Sequence, residues 1–183
     1  MAALVAALLI HATDRTPWLI AVLGARYRQH LLVIAGAIIA LATLNTLAAI
    51  GGATLAPRLT PNARALFLAL ALGAAGLGCI GSLKPPESLE KWRTGPLFTP
   101  IIGVAVLGFG SAQFIAMALA LRAGTPVFAA IGATIGGGVI TGTALALGPD
   151  GVAGLRTRAV RVPLGVVLML VSLGFGLSAL RLV

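Results

Sequence analysis

The heptapeptide HATDRTP, residues 11–17, places an acid, a base and a proline inside an otherwise apolar run of residues 2–25. Such a run can cross a membrane, since about 20 apolar residues span the ~30 Å hydrocarbon core. An ionisable side chain costs roughly 2.5 to 3.5 kcal/mol there, so it is retained chiefly where it faces other helices or a water-filled cavity. Asp14 is therefore predicted to be the functional centre. The simpler alternative is an Asp14-Arg15 pair at a helix end, with the membrane segment starting after Pro17.

The composition is that of an integral membrane protein. The 183 residues are 59% hydrophobic and 9% charged, whereas about 25% of residues are charged in a typical soluble protein. The net charge is +9, but the basic residues are scattered singly between apolar runs. That pattern argues against nucleic acid as a partner and fits cytoplasmic loops that meet an anionic lipid bilayer. The single cysteine, Cys79, excludes a disulfide framework and a thiolate metal cluster.

Hydrophobic runs bounded by charges or proline predict six membrane spans, at about residues 2–25, 31–56, 65–83, 97–121, 127–148 and 162–180. Pro17 lacks an N–H group and clashes with the preceding turn, so the first span is expected to be discontinuous near Thr13 and Asp14. The corresponding part of the fourth span has Gly108 and Gly110 instead of proline. We expect the fourth span to be flexible or closely packed there, not sharply broken.

The distribution of basic residues predicts the topology. Eight lie in the loops after spans one, three and five, namely Arg26, Arg28, Lys84, Lys91, Arg93, Arg156, Arg158 and Arg161. Four lie on the opposite side, namely Arg58, Arg64, Arg122 and Arg181. The positive-inside rule then places the loop of residues 84–96 in the cytoplasm and both termini outside, in a bacterial inner or plasma membrane. Glu87 and Glu90 in this loop are interpreted as solvated charge, with contact to a cation as the alternative.

The two halves of the chain are related by a shift of 96 residues. This shift superposes Arg26 on Arg122, Gly36-Ala37 on Gly132-Ala133 and Gly52 on Gly148. Three spans per half, an odd number, require the second half to enter from the other face of the membrane. The predicted fold is an all-α integral membrane protein of six transmembrane helices in two inverted three-helix repeats, residues 1–83 and 97–183, with the central site between spans one and four.

Polar and small residues inside the other spans have two interpretations. Asn45, with Thr46, lies at mid-depth in the second span, where it would either bond to another helix or contact the substrate. The glycines at 73, 76, 78 and 81 in the third span, and the pairs at 132/136 and 138/142 in the fifth, match a close-packing pattern.

Asp14-Arg15-Thr16, an apolar run and then Ala25-Arg26-Tyr27-Arg28, with the same plan repeated after a charged loop, resembles the Gdt family of small membrane proteins. The resemblance implies exchange of calcium or manganese for protons, through a motif Glu-apolar-Gly-Asp-Lys/Arg-Thr/Ser in each repeat. Asp14, Arg15 and Thr16 agree with the first motif, whereas His11 stands in place of its Glu and Thr13 in place of its Gly.

The second motif falls on residues 107–112, LGFGSA, in the register that Arg122 sets. None of its acidic, basic or hydroxyl residues is kept, and only Gln113, which often follows the family motif, agrees. The resemblance therefore implies a metal ligand at Asp14 and a cation-binding or transport set of Asp14, Thr16, His11, Asn45 and Gln113, with Arg15, Arg26 and Arg122 associated with the motifs.

Together these features predict divalent cation:proton exchange through a weakened site, because a hard divalent cation needs several oxygen ligands and this chain keeps one carboxylate of the motif pair. His11 suits proton traffic, although a lone histidine in a helix is often only hydrogen-bonded. The alternatives are a diverged structural partner that does not transport, or a transporter of another small solute. An enzyme is not expected, since the chain has no Ser/His/Asp set and no second acid beside Asp14. No cofactor is expected apart from the transported ion, and the sequence predicts no oligomeric state.

Overall fold

The computed structural model describes residues 2–81, 94–107, 110–122, 126–155 and 158–180. This part of the chain is helical and contains no β-strand, so the predicted all-α class is confirmed. Its helices are, in order, α1 (Ala2–Thr13), α2 (Thr16–Arg26), α3 (His30–Leu55), α4 (Pro61–Ile80), α5 (Phe98–Leu107), α6 (Ser111–Arg122), α7 (Pro126–Leu155) and α8 (Arg158–Ala179). Residues 84–93 of the predicted loop 84–96, with Glu87, Glu90 and Lys91, lie outside the described residues.

The first predicted span is divided into α1 and α2 by Asp14 and Arg15. Asp14 Oδ1 accepts a hydrogen bond from the Arg15 backbone N–H at 2.7 Å, and a side chain that bonds the main chain in this way competes with helix continuation. Pro17 lies in the first turn of α2, where its missing N–H would have no partner within the helix. The predicted discontinuity is confirmed, and it lies just before the proline.

A short 3₁₀ turn, Ala56–Arg58, connects α3 to α4. Thr60 caps α4, because its Oγ1 accepts a hydrogen bond from the Ala63 N–H at 3.3 Å. Arg64 Nη2 donates to the Ala56 carbonyl at 2.6 Å, which also accepts from the Leu59 N–H at 3.3 Å, so the Arg64 side chain connects α4 to the turn.

The break between α5 and α6 is sharp, with the two helices bent by 71°. The expectation that this span is not sharply broken is therefore wrong. The described residues show why α6 begins as a new helix: Gln113 Oε1 accepts from the Gly110 N–H at 3.0 Å, and the Gly110 carbonyl accepts from the Phe114 N–H at 3.2 Å. A glutamine three residues into a helix that bonds the capping residue's N–H forms half of a capping box.

Among the described residues, four helices are long and apolar enough to cross a membrane: His30–Arg58, Pro61–Ile80, Pro126–Gly154 and Ala159–Ala179. The bent pair α5 and α6 makes a fifth when it is counted as one span. Each of α1 and α2, with 12 and 11 residues, is shorter than the ~20 residues that a crossing requires. The protein is therefore a multi-pass membrane protein. The third long helix, α7, extends beyond the predicted end of its span and kinks at Gly148, whose φ is +68°.

Small residues bring α4 and α8 into close contact. A Cβ added at Gly76 would lie 2.9 Å from the Gly165 carbonyl oxygen. Ser172 Oγ donates to the Ala69 carbonyl at 2.7 Å, and Arg161 Nη2 donates to the Gly81 carbonyl at 2.5 Å. Gly76 thus fulfils the close-packing role predicted for the glycines of the third span.

A hydroxyl network connects the end of α2 to the start of α5. Tyr27 Oη lies 3.2 Å from Thr99 Oγ1, and Thr94 Oγ1 lies 3.1 Å from the same atom. Farther along, Leu19 of α2 packs against Gly103 of α5, where an added Cβ would lie 2.8 Å from a Leu19 methyl carbon. These contacts join the two halves of the chain on one side of the bundle.

The α4–α8 contact predicts that substitution by alanine has different effects on stability at two glycines of α4. Gly76→Ala should lower the melting temperature of the purified protein in detergent, because overpacking costs about 1 to 3 kcal/mol and outweighs the ~1 kcal/mol gain in helix propensity. Gly78→Ala is the matched control, since a Cβ added there meets no atom within 4 Å, and it should leave the melting temperature unchanged or raise it. Equal shifts for the two variants would contradict this packing.

Candidate functional site

Alanines form the point where α1, α3, α6 and α7 meet. Ala7, Ala116 and Ala133 make one buried cluster, and Ala48 packs against it. With only methyl side chains at the contact, four helices approach closely in the interior of an apolar bundle. Any polar group placed next to this cluster is therefore removed from lipid.

Polar side chains occupy the adjacent turn of the same helices. His11 on α1, Asn45 on α3 and Gln113 on α6 lie three or four residues from the clustered alanines, so they share their helix faces. All three are at most 1% exposed. The corresponding residue of α7 is Gly137, where an added Cβ would lie 3.0 Å from His11 Nε2. The imidazole of His11 thus fits against α7 because that position has no side chain.

Thr16, the first residue of α2, and Thr141, one turn beyond Gly137 on α7, are also buried. We call the side chains of His11, Thr16, Asn45, Gln113, Thr134 and Thr141 the polar layer. It lies where the break between α1 and α2 faces α3, α6 and α7.

Three hydrogen bonds orient parts of the polar layer. Asn45 Nδ2 donates to Thr134 Oγ1 at 3.3 Å, and Thr141 Oγ1 donates to the Gly137 carbonyl at 2.7 Å. Gln113 Oε1 accepts from the Gly110 N–H at 3.0 Å. Both carboxamides thus use one end to bond the protein, and their orientation follows from that bond.

Five polar side-chain atoms of the layer have no hydrogen-bond partner in the protein. The atoms concerned are His11 Nδ1 and Nε2, Thr16 Oγ1, Asn45 Oδ1 and Gln113 Nε2, all of them buried. A buried polar atom without a partner costs about 1 to 3 kcal/mol. Several such atoms in one layer point to a polar ligand that satisfies them.

Asp14 and Arg15 are half-buried at the break beside this layer. The carboxylate of Asp14 is the only one among the residues predicted for the site, and its Oδ1 bonds the Arg15 N–H. The described residues contain no group of three or more His, Cys, Asp or Glu side chains that could hold a metal ion. Oxygen atoms for a hard cation would come instead from Asp14, Thr16 and Asn45.

The predicted site residues divide into two groups. The structure brings His11, Thr16, Asn45 and Gln113 into the polar layer, with Asp14 and Arg15 at its edge. Arg26 and Arg122 lie exposed at the last residues of α2 and α6. Their guanidinium carbons are 5.6 Å from the Tyr27 ring centre and 5.1 Å from the Phe175 ring centre, so they are cation–π partners outside the layer.

The sequence analysis missed Thr134, Gly137 and Thr141. Their spacing carries a signal, because residues 134, 137 and 141 fall on one face of a helix. Asn45 bonds Thr134 across helices, so the interhelical role considered for Asn45 is present, while its Oδ1 stays directed at the layer.

These features define a multi-pass membrane protein with a buried polar site at a helix break, an arrangement typical of secondary transporters. Residues 1–84 match the model of a protein family described as divalent cation/proton antiporter GDT1. This match over the first 84 residues confirms the resemblance to the Gdt family seen in the sequence, and a transporter family is consistent with a protein that is not an enzyme. No curated protein and no solved structure matches the chain significantly.

The contact between His11 and Gly137 can be tested by a double-mutant cycle. Gly137→Ala should destabilise the protein by about 1 to 3 kcal/mol, because the new methyl group displaces a buried imidazole. In a His11→Ala background the same substitution should cost much less, since the imidazole is gone. Denaturant unfolding of the four proteins in detergent measures the coupling. Purely additive effects would show that the ring does not pack on Gly137.

Proposed function

We propose that this protein exchanges a divalent cation, manganese or calcium, for protons across the membrane, and that it does so through a weakened site. The observation that carries the proposal is the polar layer, in which His11, Thr16, Asn45 and Gln113 are buried in an apolar bundle and each has a side-chain atom without a hydrogen-bond partner. The family match of residues 1–84 supports the reaction type, because that stretch contains the break at Asp14.

Within this proposal each residue has a role that follows from its chemistry. Asp14 supplies the charge that attracts the cation, and Thr16 Oγ1 and Asn45 Oδ1 supply further oxygen ligands of the kind that hard cations prefer. His11 exchanges protons, as imidazole titrates near neutral pH in its ordinary state. Arg15 is the counter-charge of Asp14 when the cation is not bound.

We further propose that α1 and α2 form one broken crossing. Contacts along α7 support it: Ala7 of α1 packs with Ala133, and Gly24 of α2 packs with Leu145. These partners on α7 are separated by about 18 Å at 1.5 Å per helical residue. The two short helices therefore follow α7 in one direction, which a loop that returned to the same face would not do.

The second broken pair follows α3 in the same manner. The start of α5 adjoins Gly36, through the Leu97 carbonyl, and α6 adjoins Gly52, through the Met117 carbonyl. The helices α3 and α7 are antiparallel to each other, since Ile38 contacts Gly138 while Asn45 bonds Thr134. The two halves thus run in opposite directions, which supports our proposal of six spans in two inverted repeats.

The helix starts support the same proposal. α1 and α5 begin 96 residues apart, at Ala2 and Phe98, and so do α3 and α7, at His30 and Pro126. The motif positions are among those that differ between the halves. Asp14 corresponds to Gly110 and His11 to Leu107, so the second half contributes no carboxylate at these positions. One carboxylate poorly offsets the dehydration of a divalent cation, which is why we propose weak transport.

The alternative is a structural partner that does not transport, or a transporter of another small solute. The loss of motif residues in the second half favours it, together with a family match that ends at residue 84. Manganese flux into proteoliposomes with and without a pH gradient distinguishes these functions.

In that assay the unaltered protein should show slow manganese uptake that depends on the pH gradient. Asp14→Asn should reduce it about tenfold or more, since each 1.4 kcal/mol of lost ion binding is a factor of ten. Asp150→Asn is the matched control, because Asp150 is the other aspartate and lies exposed near the end of α7. His11→Glu, Leu107→Glu and Gly110→Asp together should raise the flux. Absence of flux in every variant would favour the structural role.

The inverted arrangement predicts the sidedness of the loops. In a Cys79→Ala background, which removes the sole cysteine, Lys91→Cys should be labelled from the cytoplasmic face and Arg122→Cys from the other face. Impermeant maleimide applied to intact cells and to inverted vesicles makes the measurement. Labelling of both positions from one face would exclude the six-span arrangement.

A further inference from the structure

The polar layer lies between two contacts that join the halves of the chain. On one side, Ile10 of α1 belongs to a buried core with Ala112 and Ile115 of α6, and this core also includes residues of α4 and α8. On the other side of the break, α2 packs against α5. A solute that reaches the layer from water therefore has to pass one of these two contacts.

One face of α2 runs from the layer to the end of the helix. Thr16, Leu19, Leu23 and Tyr27 recur at intervals of three or four residues and so share this face. Thr16 belongs to the polar layer, and both leucines are fully buried. Tyr27, where α2 ends, lies about 16 Å farther along the helix axis than Thr16. This face therefore connects the buried layer to the membrane surface.

The start of α5 covers this face of α2. Leu19 packs on Gly103, where an added Cβ would lie 2.8 Å from a leucine methyl carbon, and Val104 belongs to the same hydrophobic cluster as Leu19. At the outer end, Tyr27 Oη lies 3.2 Å from Thr99 Oγ1. An apolar contact thus closes the path next to the layer, and a hydroxyl pair closes it at the helix ends.

The contact between α2 and α5 is the easier one to separate. Tyr27 and Thr99 adjoin the exposed Thr94, so their hydroxyl groups can exchange the bond between them for bonds to water at small net cost. Leu19 rests on Gly103, which has no side chain to interlock with it. Separation of α1 from α6 would instead expose the apolar core shared with α4 and α8.

We propose that water and the cation reach the polar layer between α2 and α5, and that this entrance is closed by Leu19 on Gly103 and by the Tyr27–Thr99 hydroxyl pair. We call these four residues the α2–α5 gate. The inference rests on the proposed function, since it takes the layer to be the place where the transported cation binds. It adds the side from which that site opens and the residues that close it.

A thiol in the polar layer reports whether the gate is open. In a Cys79→Ala background, Thr16→Cys provides this reporter, and Arg28→Cys identifies the face of the membrane at which α2 ends. An impermeant, positively charged methanethiosulfonate is applied to that face of sealed vesicles. The measured quantity is the rate at which the reagent modifies the Thr16→Cys protein.

Addition of Thr99→Val to the reporter protein should raise the modification rate about threefold or more, because a hydrogen bond between the two helices is lost. Thr43→Val is the matched control, since Thr43 is exposed on α3 and its hydroxyl bonds the Ile39 carbonyl of its own helix. Equal rates for the two variants, or a faster rate only from the opposite face, would overturn the proposal. Tyr27→Phe replaces Thr99→Val if the melting temperature shows that the valine variant does not fold.

A reversible disulfide shows whether transport needs the gate to open. In the Cys79→Ala background, Leu19→Cys and Gly103→Cys should form a disulfide on oxidation, because an added Cβ at Gly103 lies 3.5 Å from Leu19 Cγ. Manganese uptake into proteoliposomes should stop after oxidation with copper phenanthroline and return after reduction. Leu19→Cys alone, treated in the same way, is the control for the oxidant.

The two measurements separate this inference from the proposed function. Faster modification of the reporter in Thr99→Val, with no manganese uptake by any variant, supports the entrance and refutes transport. Manganese uptake that continues in the cross-linked protein supports transport and overturns the gate.

Discussion

Main-chain N–H and C=O groups find no water in hydrocarbon, so each break in a membrane helix has to be closed by other protein groups. Both broken helix pairs of this bundle depend on that constraint. At the first break the Asp14 carboxylate accepts the Arg15 N–H, and at the second the Gln113 carboxamide accepts the Gly110 N–H. The backbone requirement is the same, but the first break uses a half-buried carboxyl group and the second a buried carboxamide.

Small residues make room for the polar groups beside these breaks. The alanines of α1, α3, α6 and α7 bring four helices together, and Gly137 leaves space for the His11 ring. The pair α4 and α8 is held together by its own glycines and by the bond from Ser172 to the Ala69 carbonyl. One hydrophobic cluster joins this pair to Ile10 of α1 and Ala112 of α6, the chain neighbours of His11 and Gln113.

The two halves combine a shared plan with different chemistry. The starts of α1 and α5, and those of α3 and α7, are 96 residues apart, which supports the proposed repeat. At the motif positions the second half has residues without charge, and the match to the GDT1 family covers residues 1–84. The glycines and alanines that bring the helices together are not the motif residues, so the helices pack although the second half has no acid at its motif positions.

The sequence by itself determined the membrane class, the approximate helix positions and the first break, because length, hydropathy, proline and charge act locally along the chain. It did not reveal the sharp turn between α5 and α6, where the Gln113 side chain caps α6 by accepting the Gly110 N–H. Nor did it reveal Thr134, Gly137 and Thr141 as neighbours of Asn45 and His11. Helices that are apolar on every face carry little periodic signal about which face meets which. Only the packing of small residues in the tertiary structure decides those contacts, and with them the direction in which each buried polar atom points.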